Sequence, residues 1–200
     1  MPDTLDQLLM TRPPTADRPL LGVMVLVGED SRYACEPLRL IRQRSGAQVR
    51  RTESLASAAR HIMAYRPRVA LIDLGLLDGS GLMLIEQLAR SEPRIDAVIA
   101  ISGDDTLAED ARAAGADVFL TKPMESLSDF QTTILGLLPE DEHSDRVDFL
   151  IEDHVEPDPL AVRDDLSLAA DLLNEEPKPG TLSYVATFRK GLSRAAATWN

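Results

Sequence analysis

VALIDLGLLDGSGL, residues 69–82, opens with a run that reads as a strand buried on both faces and ends that run on a carboxylate, Asp73. Near-continuous apolar character over so short a stretch, followed by a Gly- and Asp-containing loop, is typical of a central strand in a parallel sheet. From about residue 80 to 91 the apolar spacing becomes that of a helix. The same alternation recurs along the chain. Strand-like runs are LGVMVLVG at 21–28, AQVRRT at 47–52, AVIAI at 97–101 and DVFLT at 117–121, and helical spacing covers about 32–45, 54–65, 106–114 and 126–138. Five such units predict an α/β fold, a five-stranded parallel sheet doubly wound with helices on both faces. Ligands of these sheets sit at the carboxyl ends of the strands.

Composition is compatible with that reading. The 200 residues are 44% hydrophobic and 27% charged, which is globular usage, and at 4% aromatic the core must rest on Leu, Val, Ile and Ala. A net charge of −12 argues against nucleic acid or an anionic membrane as a partner of the whole chain. The single cysteine, Cys35, excludes an internal disulfide and a Cys-based zinc cage, fits a reducing, cytoplasmic setting, and reads as a small helix residue. The longest apolar run, Leu20 to Val27, is far short of a membrane span. Residues 1–19 read as a leader or a short helix, without the apolar core of a secretory signal.

Four loops bring polar groups to one edge of the predicted sheet. Glu29 and Asp30 follow the first strand, Asp73 ends the third, Ser102 follows the fourth, and Lys122-Pro123 follows the fifth. Three carboxylates converging there would repel one another unless a cation joined them, and hard oxygen ligands suit Mg²⁺. A lysine and a hydroxyl beside them complete a cradle for an anion. The chemistry this favours is a Mg²⁺-dependent phosphoryl site with a carboxylate nucleophile.

The motifs VGEDS at 27–31, IDLGLLDGSGL at 72–82, AISGD at 100–104 and AAGADVFLTKP at 113–123, in that order and spacing, resemble the receiver domain of two-component response regulators over about residues 20–139. The resemblance implies a flavodoxin-like fold with Asp73 as the phospho-accepting aspartate. It implies Mg²⁺ held directly by Asp30 and Asp73, by Glu29 through water, and by the backbone carbonyl of Gly75. Ser102 would then hydrogen-bond the phosphoryl group, Lys122 would pair with it, and Phe119 would be the aromatic switch that moves with Ser102; a fixed core role for Phe119 is the alternative. A register placing Gly28 and Glu29 as the acidic pair is rejected, because the stretch from Asp30 to Gly46 fits the family's first helix. The peptide bond before Pro123 is expected to be cis. Leu77 stands where the family usually has proline, which should loosen the loop without removing a ligand. Pro37 should kink the first helix. Gly103 leaves the site open to a donor; Gly75 leaves the path of a hydrolytic water unblocked whereas Asp104 stands to repel or orient that water, so an acyl phosphate of intermediate lifetime is expected. His61, His143 and His154 read as surface residues.

Past Pro139 the character changes. Residues 140–158 carry nine acids and one base, an acidic linker, and 159–200 reads as a helical hairpin interrupted by NEEPKPG. Its first helix would bury Val162, Leu166, Ala169, Ala170 and Leu173, and its second, capped by Thr181, would bury Val185, Phe188, Leu192, Ala196 and Trp199. The function expected is that of a response regulator taking a phosphoryl group from a histidine kinase or a histidine phosphotransfer protein, with no metabolic turnover beyond autodephosphorylation. Its output would be a protein–protein contact, with the hairpin forming a homodimer, packing on the receiver or docking a partner. The alternative is a transcriptional regulator whose C-terminal helices bind DNA. Two helices with only Arg189, Lys190 and Arg194 as a basic cluster weigh against it.

Overall fold

The computed structural model describes residues 15, 18–31, 38, 43–124, 126–139, 159–174 and 181–197. Five strands form one parallel sheet: β1 (Met24–Gly28), β2 (Gln48–Thr52), β3 (Val69–Asp73), β4 (Ala97–Ser102) and β5 (Val118–Thr121). Their order is β2-β1-β3-β4-β5, so the sheet is doubly wound and flavodoxin-like. The helices are α1 (Leu55–Tyr65), α2 (Gly81–Ala89), α3 (Ala108–Ala114), α4 (Leu127–Leu137), α5 (Pro159–Asn174) and α6 (Thr181–Ala197). Between β1 and β2, Leu38 and residues 43–45 are helical; Cys35 and Pro37 lie outside the described residues.

The three inner strands are buried along their whole length, as parallel strands covered on both faces must be. Alternate residues feed two cores. Val25, Val27, Leu71, Ile99 and Ile101 pack with Leu38 and with Phe130, Ile134 and Leu135 of α4. Leu26, Ala70, Ile72, Val98 and Ala100 pack with Ala58 of α1, Leu84, Ile85 and Leu88 of α2, and Ala111 of α3. The edge strands β2 and β5 are only partly covered. The first strand begins at Met24 rather than residue 21, because Gly22 takes a left-handed conformation with φ 83°.

Register aligns the strand ends. Gly28 pairs with Ile72, Asp73 with Ile101, and Ser102 with Thr121. The residues that follow β1, β3, β4 and β5 therefore emerge along a single edge.

The hairpin departs from the predicted faces. In α5 the buried positions are Asp165 and Ala169, whereas Leu166 is 50% exposed and Leu173 48% exposed; Ala170 is exposed as well. Apolarity alone places the predicted α5 stripe, but a carboxylate occupies the inner face because it has a partner there, the Ser31 hydroxyl. In α6, Val185, Phe188 and Leu192 are partly buried as expected, and Thr181, Tyr184 and Gly191 are buried more deeply. The side chains of Ala196 and Trp199, the linker 140–158, His143 and His154 lie outside the described residues. His61 is half-buried rather than on the surface, its ring meeting Tyr65 edge-on at 5.4 Å. No helix among the described residues is long and apolar enough to cross a membrane.

Candidate phosphoacceptor and metal site

Each acidic side chain at the sheet edge is fixed by the backbone beside it. Glu29 is fully buried; its Oε1 accepts the Ser31 N–H at 3.0 Å. Asp30 Oδ2 accepts the Leu77 N–H at 3.1 Å, and Asp73 Oδ1 accepts the Gly75 N–H at 3.2 Å. From the edge strand β2, Arg51 donates its Nε to the Glu29 carbonyl and its Nη2 to the Asp30 carbonyl, both at 3.0 Å, which pins the acidic loop from below. The loop after Asp73 is anchored at its far end by Asp78, whose carboxylate accepts the Leu55 N–H at 2.9 Å at the start of α1. Gly81 then lets the chain turn back beneath the acceptor, since a Cβ there would lie 2.1 Å from the Asp73 carbonyl oxygen.

Carboxylate oxygens of Glu29, Asp30 and Asp73 lie within 4.8 Å of one another. Lys122 answers two of them, with Nζ 2.5 Å from Glu29 Oε2 and 2.9 Å from Asp73 Oδ2. One ammonium does not balance three carboxylates, and the electrostatics say so. Burial, then the charge of Asp73 and Asp30, push Glu29 up to about 8 despite Lys122. Burial and Asp73 push Asp30 up to about 6. Burial works against the Lys122 ammonium, but Asp73 and Glu29 outweigh it and its pKa is raised. Asp30 Oδ1 is buried with no hydrogen-bond partner among the described residues. A buried orphan oxygen beside two further carboxylates is a hard-ligand set, and Mg²⁺ fits it.

Ser102 is fully buried at the end of β4, where its Oγ accepts the Asp104 N–H at 3.1 Å. Phe119 lies opposite Ala100 on β5, partly buried against the second core. The Lys122–Pro123 peptide bond is cis, as expected. Glu29, Asp30, Asp73, Gly75 and Lys122 thus meet at this edge of the sheet, with Ser102 at the end of β4.

Leu77 supplies an N–H that proline lacks, and that N–H holds Asp30. One expectation about the surroundings does not hold: Gly75 and Gly103 do not leave the site open. A Cβ on Gly75 would lie 3.5 Å from the Thr187 Cγ2 of α6, and one on Gly103 would lie 2.7 Å from the Thr187 carbonyl oxygen and 2.8 Å from the Gly191 nitrogen. The space left by these glycines is filled by the C-terminal helix. Asp165 of α5 accepts a hydrogen bond from Ser31 Oγ at 2.6 Å, and Lys190 of α6 pairs with Asp104. Burial, then the charges of Asp30, Asp165, Glu29 and Asp73, raise the Tyr184 hydroxyl. These hairpin residues were missed in the sequence; the available signal was Gly191, a glycine inside a helix, where it costs about 1 kcal/mol against alanine unless another backbone comes close.

A family model described as the response regulator receiver domain matches residues 25–134. The chain belongs to that family. Among curated proteins, it is 32% identical over 100 residues to the virulence transcriptional regulatory protein PhoP of Salmonella choleraesuis (strain SC-B67), a match covering 50% of this chain and 45% of that one. The transcriptional regulatory protein PhoP of Escherichia coli O6:H1 is 30% identical over the same length. The chain therefore spans about half the length of the curated relatives it matches. Among solved structures, a CheY-like receiver domain from Methylobacillus flagellatus aligns at 25% identity and a TM-score of 0.51, covering 57% of this chain and 98% of that one. A putative response regulator from Chloroflexus aurantiacus J-10-fl aligns with a TM-score of 0.54 at 21% identity, covering 63% of this chain and 98% of that one, a likeness of fold.

Proposed function

We propose that the chain is a phosphorelay response regulator in which Asp73 accepts a phosphoryl group from the phosphohistidine of a histidine kinase or histidine phosphotransfer protein. What carries this reading is Lys122 bridging Glu29 and Asp73 beside the orphan oxygen of Asp30. In the transfer, an Asp73 oxygen attacks phosphorus, the phosphorus–nitrogen bond breaks in line, and the imidazole leaves as an intact ring. Lys122 exchanges a carboxylate contact for a phosphoryl oxygen, and the Ser102 hydroxyl donates to another. Asp30 and Asp73, with Glu29 through water and the Gly75 carbonyl, would hold Mg²⁺, which supplies positive charge to the incoming phosphoryl oxygens. Hydrolysis of the acyl phosphate regenerates Asp73, and no metabolite is turned over. Phe119 would follow Ser102 as the switch.

The proposed organisation is a receiver over 20–139, an acidic linker over 140–158 and a helical hairpin over 159–200, acting in the cytoplasm. The output we favour is protein–protein contact, including a homodimer through the hairpin's exposed leucines, among them Leu166, Leu173 and Leu182. Transcriptional regulation is the second reading, because the curated relatives carry that name; their match spans 45% of their length, and the −12 charge weighs against DNA. Acetyl phosphate with Mg²⁺ is expected to phosphorylate the wild type and not Asp73→Asn, read as a mobility shift on a phosphate-affinity gel. A shift retained in Asp73→Asn would refute the assignment.

A further inference from the structure

α6 lies across the mouth of the site, and the fit is made by backbone. Gly103 meets the Thr187 carbonyl and Gly191 so closely that a side chain at Gly103 has no room, and Gly191 returns the contact, its own Cβ position lying 3.8 Å from the Gly103 Cα. Thr187 covers Gly75 from the same helix. Polar latches flank the seam: Lys190 with Asp104, and Ser31 with Asp165, a carboxylate buried on α5. Tyr184, 8% exposed, stacks on Phe188 at 6.5 Å between ring centroids. Under this helix the Asp73 side chain is only 6% exposed and Ser102 not at all. In-line attack needs the nucleophile, the phosphorus and the leaving nitrogen on one line, with the donor's body beyond it. That body and α6 cannot share the space.

We infer that the C-terminal hairpin is a built-in cover of the Asp73 site, seated through the Gly103–Gly191 and Gly75–Thr187 contacts, and that it must lift before a phosphodonor can reach the aspartate. This rests on the reading of Asp73 as phosphoacceptor. The occupant of the face is the chain's own α6, and a donor presenting a helix there competes with it. On the α6 side these contacts are made by Thr187, Lys190 and Gly191, none of which belongs to the proposed chemistry, so cover and acceptor can be varied separately.

The test compares full-length wild type with Gly191→Leu, which puts a branched side chain against the Gly103 backbone, and with Lys190→Glu, which sets a like charge beside Asp104. Hydrogen exchange reads whether α6 and the loops at Gly75 and Gly103 are protected, with β1, β3 and β4 as the check that each variant is folded. Phosphorylation by acetyl phosphate and Mg²⁺ reads access. Both variants are expected to lose protection at α6 and at the two loops, and to be phosphorylated at least about tenfold faster than wild type. Equal rates in variants that have lost that protection would overturn the cover, as would a wild-type α6 that exchanges as freely as theirs. Loss of protection with no phosphorylation in any of the three proteins would instead overturn the phosphoacceptor reading, and with it the regulation built on it.

Discussion

Asp30 depends on a neighbour that the resemblance would have replaced. The Leu77 N–H donates to its Oδ2 and favours the charged carboxylate. Leu77→Pro removes that donor, and at roughly 1 kcal/mol for a net hydrogen bond the Mg²⁺ affinity should fall about fivefold by titration calorimetry. An unchanged affinity would show that the bond does not tune the site. The raised values of Glu29, about 8, and Asp30, about 6, give a pH prediction with a definite sign. A carboxylate raised in the folded state holds its proton longer than in the unfolded chain. The stability this contributes is fully present below the ordinary carboxylate range and is lost as pH rises through about 6 and then about 8. Mg²⁺ held as proposed would reverse the trend by binding the ionised forms, so its stabilisation of the fold should be larger at pH 8 than at pH 6, with proton release on binding at pH 7. Thermal melts with and without Mg²⁺ at the two pH values check this, and an equal Mg²⁺ effect at both would contradict it.

At the scale of elements, the glycines sort by what they face. Gly81 carries the turn under Asp73, where a Cβ would sit 2.1 Å from the Asp73 carbonyl oxygen. Gly81→Ala should therefore destabilise the domain by about 3 kcal/mol, as overpacking against backbone does, read by denaturant melts. Gly191 lies at an ordinary contact distance of 3.8 Å, so Gly191→Ala should fit and strengthen α6 by about 1 kcal/mol through helix propensity; a drop in the melting temperature would show that the seam tolerates no side chain. The five strands and the gathering of Glu29, Asp30, Asp73, Ser102 and Lys122 were legible because each strand is a short apolar run whose last residues carry the chemistry, and parallel register delivers those ends together. Arg51 and Asp78 were not legible, since each acts on a loop distant in sequence through a backbone group. The α5 face was misread for the opposite reason: Asp165 is buried by its bond to Ser31, a partner no local pattern announces.

Across the whole molecule, docking of α6 uses its inner face and leaves leucines of the hairpin outside, with Leu160 at 63% exposure and Leu182 at 66%. If those leucines make the homodimer, light scattering should find a dimer at micromolar concentration, reduced to monomer by Leu166→Glu with Leu173→Glu, since contiguous exposed apolar surface favours association. A wild-type monomer, with or without phosphodonor, would remove dimerisation from the proposed output.

The glycine-floored seam over Asp73 has a consequence in time. In the proposed chemistry a phosphohistidine and a hydrolytic water would both enter past Gly75 and Gly103, where Thr187 and Gly191 now sit. A barrier common to gain and loss divides out of their ratio. To the extent that α6 hinders both alike, it leaves the steady-state fraction of phosphorylated protein untouched and stretches the interval needed to reach it. A chain so covered would average its input, ignoring bursts of donor shorter than the opening time of its own helix and holding a memory of longer ones after the donor is gone.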